Sequence, residues 1–256
     1  MNSFTIDITP LVTGLLLSVR IGMVLFMTPL IGASGIPARI RVLALIALSS
    51  CLVLGMHPPM YAAALNTAGL LMALINEVIW GGMLGFGVST AFAAFLLGGR
   101  VLDLQMGFGV ATLLDPATRM QTPLLGLLLE LTGIAAFLSI NGHHMVLRAL
   151  AASISTAPLG TSPSEVPVTV ILAQFGVMFS LGMTLVGAAV AAVFLVDIGM
   201  SVVARLLPQA NVFLLSIPVK IFAGLSVLAL SAPFTGPVLS RIFESMFIYW
   251  EALPRR

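Results

Sequence analysis

The chain has 256 residues, of which 59% are hydrophobic and only 8% charged, with a mean hydropathy of +1.15. Soluble domains carry about 25% charged residues, so this composition excludes a water-soluble globule and identifies an integral membrane protein. Eleven basic and nine acidic residues give a formal charge of +2, spread singly along the chain, which leaves no basic patch for nucleic acid.

The apolar runs are uninterrupted instead of alternating, so the spans are expected to be helices, not barrel strands. Met1 to Pro10 carries only Asp7 as a charged side chain, and Arg20 interrupts the run that follows. A signal peptide needs a basic start, so the N-terminus is expected to be retained.

The first run, Leu11 to Ile31, is long enough to cross about 30 Å of hydrocarbon, and Pro29 with Gly32 to Pro37 ends it. Arg39 and Arg41 follow as a positive pair that favours the cytoplasmic side. The second run, Val42 to Gly55, is short for a span and contains Cys51, the single cysteine, expected as a small core residue. His57-Pro58-Pro59 closes it.

The third run, Ala68 to Leu97, amounts to about 45 Å of helix and overshoots a bilayer. It holds Asn76 and Glu77, then small residues at every fourth position: Gly81, Gly85, Ser89 and Ala93. Such a stripe lets another helix approach closely.

Next comes a central segment, Gly98 to Pro123, with four of the chain's charged residues: Arg100, Asp103, Asp115 and Arg119. Its glycines at 98, 99, 107 and 109 weaken a helix and predict a loop. Bulky apolar residues lie among them, and Gln105, Met106, Phe108, Val110, Leu113 and Leu114 are the candidates for a plug or pore constriction. An amphipathic linker at the membrane surface fits the same composition.

Asp115-Pro116 and Thr122-Pro123 resemble helix starts. The fourth run, Leu124 to Ile140, includes Glu130 and stops at Asn141-Gly142. A short stretch, Met145 to Ile154, follows His143 and His144. Ser162 to Glu165 fits a capping box.

The fifth run, Val168 to Val196, has a second small stripe at Gly176, Ser180, Thr184, Ala188 and Ala192. Asp197 and Arg205 follow, and Leu207 to Asn211 breaks the helix. The sixth run, Val212 to Leu230, contains Pro218 and Lys220, and an amphipathic tail ends in Arg255-Arg256. The fold expected is therefore one all-α membrane domain over residues 1–256, with about six long apolar helical segments in hairpins.

Charges inside apolar runs are costly and mark functional candidates: Arg20, Glu77, Glu130 and Lys220. They fit ion pairs, solvation at an assembly interface, or a proton relay, although the acids at 77 and 130 lie on different segments. His143-His144 lacks the i, i+4 spacing of a helical metal site. No phosphate loop or catalytic constellation occurs at motif spacing, so no enzyme, cofactor or metal is expected. An ion-coupled membrane transporter is the alternative function, and it predicts inverted repeats with broken helices.

Leu104-Gln105-Met106-Gly107-Phe108, with Ala111-Thr112 and Asp115-Pro116, resembles the signature of the FliR family of flagellar export proteins and its SctT injectisome relatives. Further landmarks fall in the family's order: Pro29 with Ile36-Pro37, Asn141-Gly142-His143, Pro158-Leu159-Gly160, and Pro208-Gln209 ahead of Pro218. The resemblance implies a subunit of a helical export gate in the bacterial inner membrane, at the flagellar basal body. FliP and FliQ would complete its pore and FlhB would engage it, while unfolded flagellar proteins pass through. It also implies that 105–121 plugs the pore and that the subunits sit largely above the bilayer plane. Family members often place phenylalanine where Val110 and Leu113 stand here.

Overall fold

The computed structural model describes residues 9–29, 37–56, 66–108, 123–163, 168–209 and 211–253. Among them the helices are α1 (Thr9–Met27), α2 (Ala38–Met56), α3 (Thr67–Met106), α4 (Leu124–Ser139), α5 (Gly142–Thr156), α6 (Val168–Leu206), α7 (Val212–Ser231) and α8 (Gly236–Glu251). A 3-10 turn, Ala232–Phe234, lies between α7 and α8. Five spans among the described residues are long and apolar enough to cross a membrane, or six if α4 and α5 together form one broken span. The protein is an all-α, multi-pass membrane protein.

Two of the helices, α3 and α7, start where asparagine side chains satisfy free amides. Asn66 Oδ1 accepts from Gly69 N at 2.6 Å ahead of α3, and Asn211 Oδ1 accepts from Leu214 N at 3.3 Å ahead of α7. Asn141 takes the left-handed conformation at φ 57° between α4 and α5, as the Asn-Gly stop predicts. Pro218 lies inside α7 without ending it.

Three boundaries differ from the sequence reading. α2 begins at Ala38 and takes in Arg39 and Arg41, which brings the short run to spanning length. α6 continues past Asp197 to Leu206. α3 runs through Gly98 and Gly99, expected in a loop, and ends only at Gly107, whose φ of +83° closes it in the left-handed conformation. Two glycines do not break a helix that packing holds, and here both are used for close approach. Cys51, expected in the core, is exposed on α2.

The chain forms two compact units, one of residues 1–89, 140–172 and 246–256, the other of 90–139 and 173–245. In the first, Val12, Leu16, Leu17 and Ile21 on one stripe of α1 join Ala73, Ile154 and Leu159 in a core. In the second, Phe243 of α8 meets Phe92, Phe95 and Phe137 at ring-centroid distances of 6.0, 5.8 and 5.2 Å.

The second unit is also tied by glycine contacts. A Cβ on Gly182 of α6 would lie 2.6 Å from Ala94 O, and one on Gly98 would lie 2.7 Å from Gly182 O. Large apolar side chains remain outside both cores, Phe222 at 77% and Phe234 at 78% exposure among them. Such a surface is made for lipid or for other protein, not for water.

Candidate functional site

The described part of the central segment is its stem. Met106, the last residue of α3, is fully buried and packs on α7, where a Cβ on Gly224 would strike its terminal methyl. Gly107 faces Ile217 across the same contact. Gln105 and Phe108 are half-buried, and the Gln105 Oε1 has no hydrogen-bond partner among the described residues.

On the far side, Asp103 accepts hydrogen bonds from Leu125 N at 3.1 Å and Gly126 N at 3.2 Å. Its carboxylate therefore caps the first turn of α4, where an anion also meets the positive end of the helix dipole. One turn back, a Cβ on Gly99 would run into the Gly126 backbone, so only glycine fits on α3 at that level. The end of α3 and the first turn of α4 are thus held together.

Val110, Leu113 and Leu114 lie outside the described residues. Met106, grouped with them as a constriction residue, is buried against Gly224 and anchors the stem. Asp103 was legible only as a charge, because its partner amides are 22 and 23 residues away.

A second polar cluster lies in the first unit. The buried Arg20 Nε and Nη2 donate to Glu77 at 2.6 and 3.0 Å, and Arg20 Nη1 donates to Ala157 O at 2.9 Å. Glu77 Oε1 also accepts from Gly160 N at 2.7 Å. Asn76 Nδ2 donates to Gly160 O at 3.0 Å, and Trp80 Nε1 to Thr161 O at 3.1 Å.

Three residues on α3 at positions 76, 77 and 80 therefore grip one turn, Pro158 to Thr161, which Gly160 enters at φ +81°. The buried oxygens of Glu77 are matched by donors from Arg20 and Gly160, as a buried ion pair requires. An ion pair is one of the readings the sequence leaves open for Glu77; the grip on the 158–161 turn has no signal there.

The other charges are less enclosed. Glu130 is half-buried, not buried, and pairs with no described residue. Lys220 pairs with Asp197, with the two side chains 18% and 44% exposed. The His143 and His144 rings lie 4.2 Å apart, tilted by 47°, and no group of three or more ligand residues capable of holding a metal occurs among the described residues.

The two small stripes have different surroundings. A Cβ on Gly81 would lie 2.7 Å from Arg20 O, and one on Gly85 would lie 2.8 Å from Met27 Sδ, so that face of α3 is filled by α1. Ser89 and Ala93 are half-buried. On α6, Gly176, Ser180, Thr184 and Ala188 are exposed, and nothing lies within 4 Å of a Cβ on Gly176.

The family model for bacterial export proteins, family 1, matches residues 11–246. The chain belongs to that family. It is similar to the flagellar biosynthetic protein FliR of Bacillus subtilis, with 30% identity over 253 residues, 95% of this chain and 94% of the relative. The FliR of Escherichia coli is 27% identical over 174 residues, 68% of this chain and 67% of the relative. The Yop proteins translocation protein T of Yersinia pestis is 34% identical over 154 residues, 59% of each. The resemblance read from residues 104–116 thus leads to the FliR/SctT family, and a member of it is a component of a type III export apparatus.

Proposed function

We propose that this chain is a core subunit of the flagellar type III export gate, which forms with FliP and FliQ the pore through which unfolded flagellar proteins leave the cell. It catalyses no reaction, resides in the inner membrane at the basal body and engages FlhB. Residues 98–123 contain the gating element, and its apolar part, with Gln105, Met106, Phe108, Val110, Leu113 and Leu114, seals the pore at rest.

The observation that carries this reading is the clamped stem. Asp103 ties α3 to the first turn of α4, Gly99 fits against Gly126, and Met106 is seated at Gly224. A segment that must yield to a passing chain and then return needs ends that do not move. An apolar constriction excludes ions because a hydrated ion finds no ligands there to replace its water.

Deleting Val110 to Leu114 is expected to leave the helices able to assemble and to make the gate leak. Conductance of the purified, assembled gate in planar bilayers is the measurement, with a Val110→Ser, Leu113→Ser, Leu114→Ser variant as a milder form. Intact complexes of both variants that conduct no more than wild type would reduce the segment to a linker.

A further inference from the structure

A cavity of about 250 Å³ lies in the first unit among α3, α5 and α8. Its walls include Trp80, Ser153, Thr156, Phe247, Trp250 and Glu251. Trp80 and Trp250 are the two tryptophans of the chain. Tryptophan favours the headgroup level of a membrane, where an apolar ring can face the interior and a polar edge can face water.

The hydrogen-bonding state of these walls is one-sided. Trp250 Nε1 donates to Leu84 O at 2.8 Å and Trp80 Nε1 to Thr161 O at 3.1 Å. The Ser153 hydroxyl donates to Leu150 O at 2.6 Å, and that of Thr156 to Ser153 O at 3.1 Å. The indole and hydroxyl donors of the wall are therefore engaged inside the protein.

What remains for a ligand among the described residues is acceptors: hydroxyl lone pairs, the aromatic rings of the wall, and the exposed carboxylate of Glu251, which pairs with no described residue. Arg20 lies 6.0 Å from the Trp80 ring, but Glu77 neutralises it. Electron-rich rings beside a carboxylate attract an organic ammonium, and hydroxyl acceptors suit one that carries N–H groups. Among the described residues of the wall, an anion finds no free indole or hydroxyl donor.

We propose that this cavity binds the primary ammonium headgroup of phosphatidylethanolamine. The volume is below the roughly 300 Å³ at which drug-sized sites begin, and it suits a headgroup with its acyl chains left outside. The phosphate stays at the mouth, in water, because the indole and hydroxyl donors of the described wall are taken. The site is independent of the plug and of any export activity.

The two tryptophans make the full-length chain its own probe. In a neutral maltoside detergent, titration with dihexanoyl-phosphatidylethanolamine is expected to change their fluorescence saturably. Dihexanoyl-phosphatidylglycerol at the same concentration should not, and the phosphatidylcholine analogue, which lacks N–H groups, should bind about tenfold more weakly. Glu251→Gln should weaken binding by about tenfold, the scale of one hydrogen bond to a charged group. Glu244→Gln, an exposed charge elsewhere on α8, should leave it unchanged. A flat wild-type titration, an equal response to phosphatidylglycerol or phosphatidylcholine, or a wild-type midpoint for Glu251→Gln would overturn the site. Saturation by free ethanolamine at the same concentration would overturn its assignment to a lipid.

Discussion

Two stripes of small residues, alike in the sequence, differ in the fold. On α3, Gly81 and Gly85 are closed off by α1, so tightly that a Cβ on Gly81 would touch the Arg20 backbone. On α6, Gly176, Ser180, Thr184 and Ala188 are exposed, while glycine contact on that helix uses Gly182 instead. Spacing announces that a helix can be approached closely, but not whether the approaching helix belongs to the same chain. The first stripe is part of the subunit's own fold; the second is open among the described residues.

The difference can be broken most forcefully at Glu77. The first stripe is seated on α1 at Arg20, and Glu77 supplies the charge that lets Arg20 be buried there. Glu77→Gln keeps the shape and leaves the guanidinium without a counter-ion, at a cost of about 3–5 kcal/mol. The unfolding midpoint of the detergent-solubilised chain should fall accordingly. An Arg20→Met, Glu77→Leu double variant should recover much of the loss, since an apolar pair of similar size carries no stranded charge. A midpoint unmoved by Glu77→Gln would mean that water or another group already solvates Arg20.

Smaller effects should separate the stripes directly. Gly81→Leu or Gly85→Leu overpacks the α1 contact, and about 1–3 kcal/mol of the chain's own stability should be lost. Thr184→Leu adds the same kind of bulk to an open face, and the isolated chain should stay within about 0.5 kcal/mol of wild type. Its cost is expected in assembly, read by native mass spectrometry as loss of the complex. Equal destabilisation of the isolated chain by both substitutions would erase the distinction.

The spans were legible because continuous apolar runs flanked by proline, glycine and asparagine leave few alternatives in a membrane. The ends were harder. Local signals favoured stopping α3 at Gly98, but Gly182 and Gly126 pack there and reward an uninterrupted backbone, so the helix continues to Met106. Glu77 was legible as a buried charge, because a lone acid in an apolar run demands a partner. That Arg20, 57 residues earlier, is the partner and that both hold the 158–161 turn depends on tertiary packing, which spacing does not encode. Asp103 was hidden for the same reason: a cap is recognised in sequence when it precedes its helix, and this one reaches α4 from another helix.

The smallest expected effect is a reversal of sign. Glycine in a helix interior costs about 0.8–1 kcal/mol relative to alanine unless its missing side chain is used. At Gly81 it is used, because a methyl group would meet backbone that cannot give way, and Gly81→Ala should destabilise the chain. At Gly176 a methyl group meets nothing within 4 Å. Gly176→Ala should therefore stabilise the isolated chain by up to about 1 kcal/mol while weakening any assembly that needs the close approach. Thermal unfolding of the chain alone, set against the yield of the intact complex, measures both halves. If Gly176→Ala destabilises the chain by itself, the second stripe already has an intramolecular neighbour and is no more open than the first.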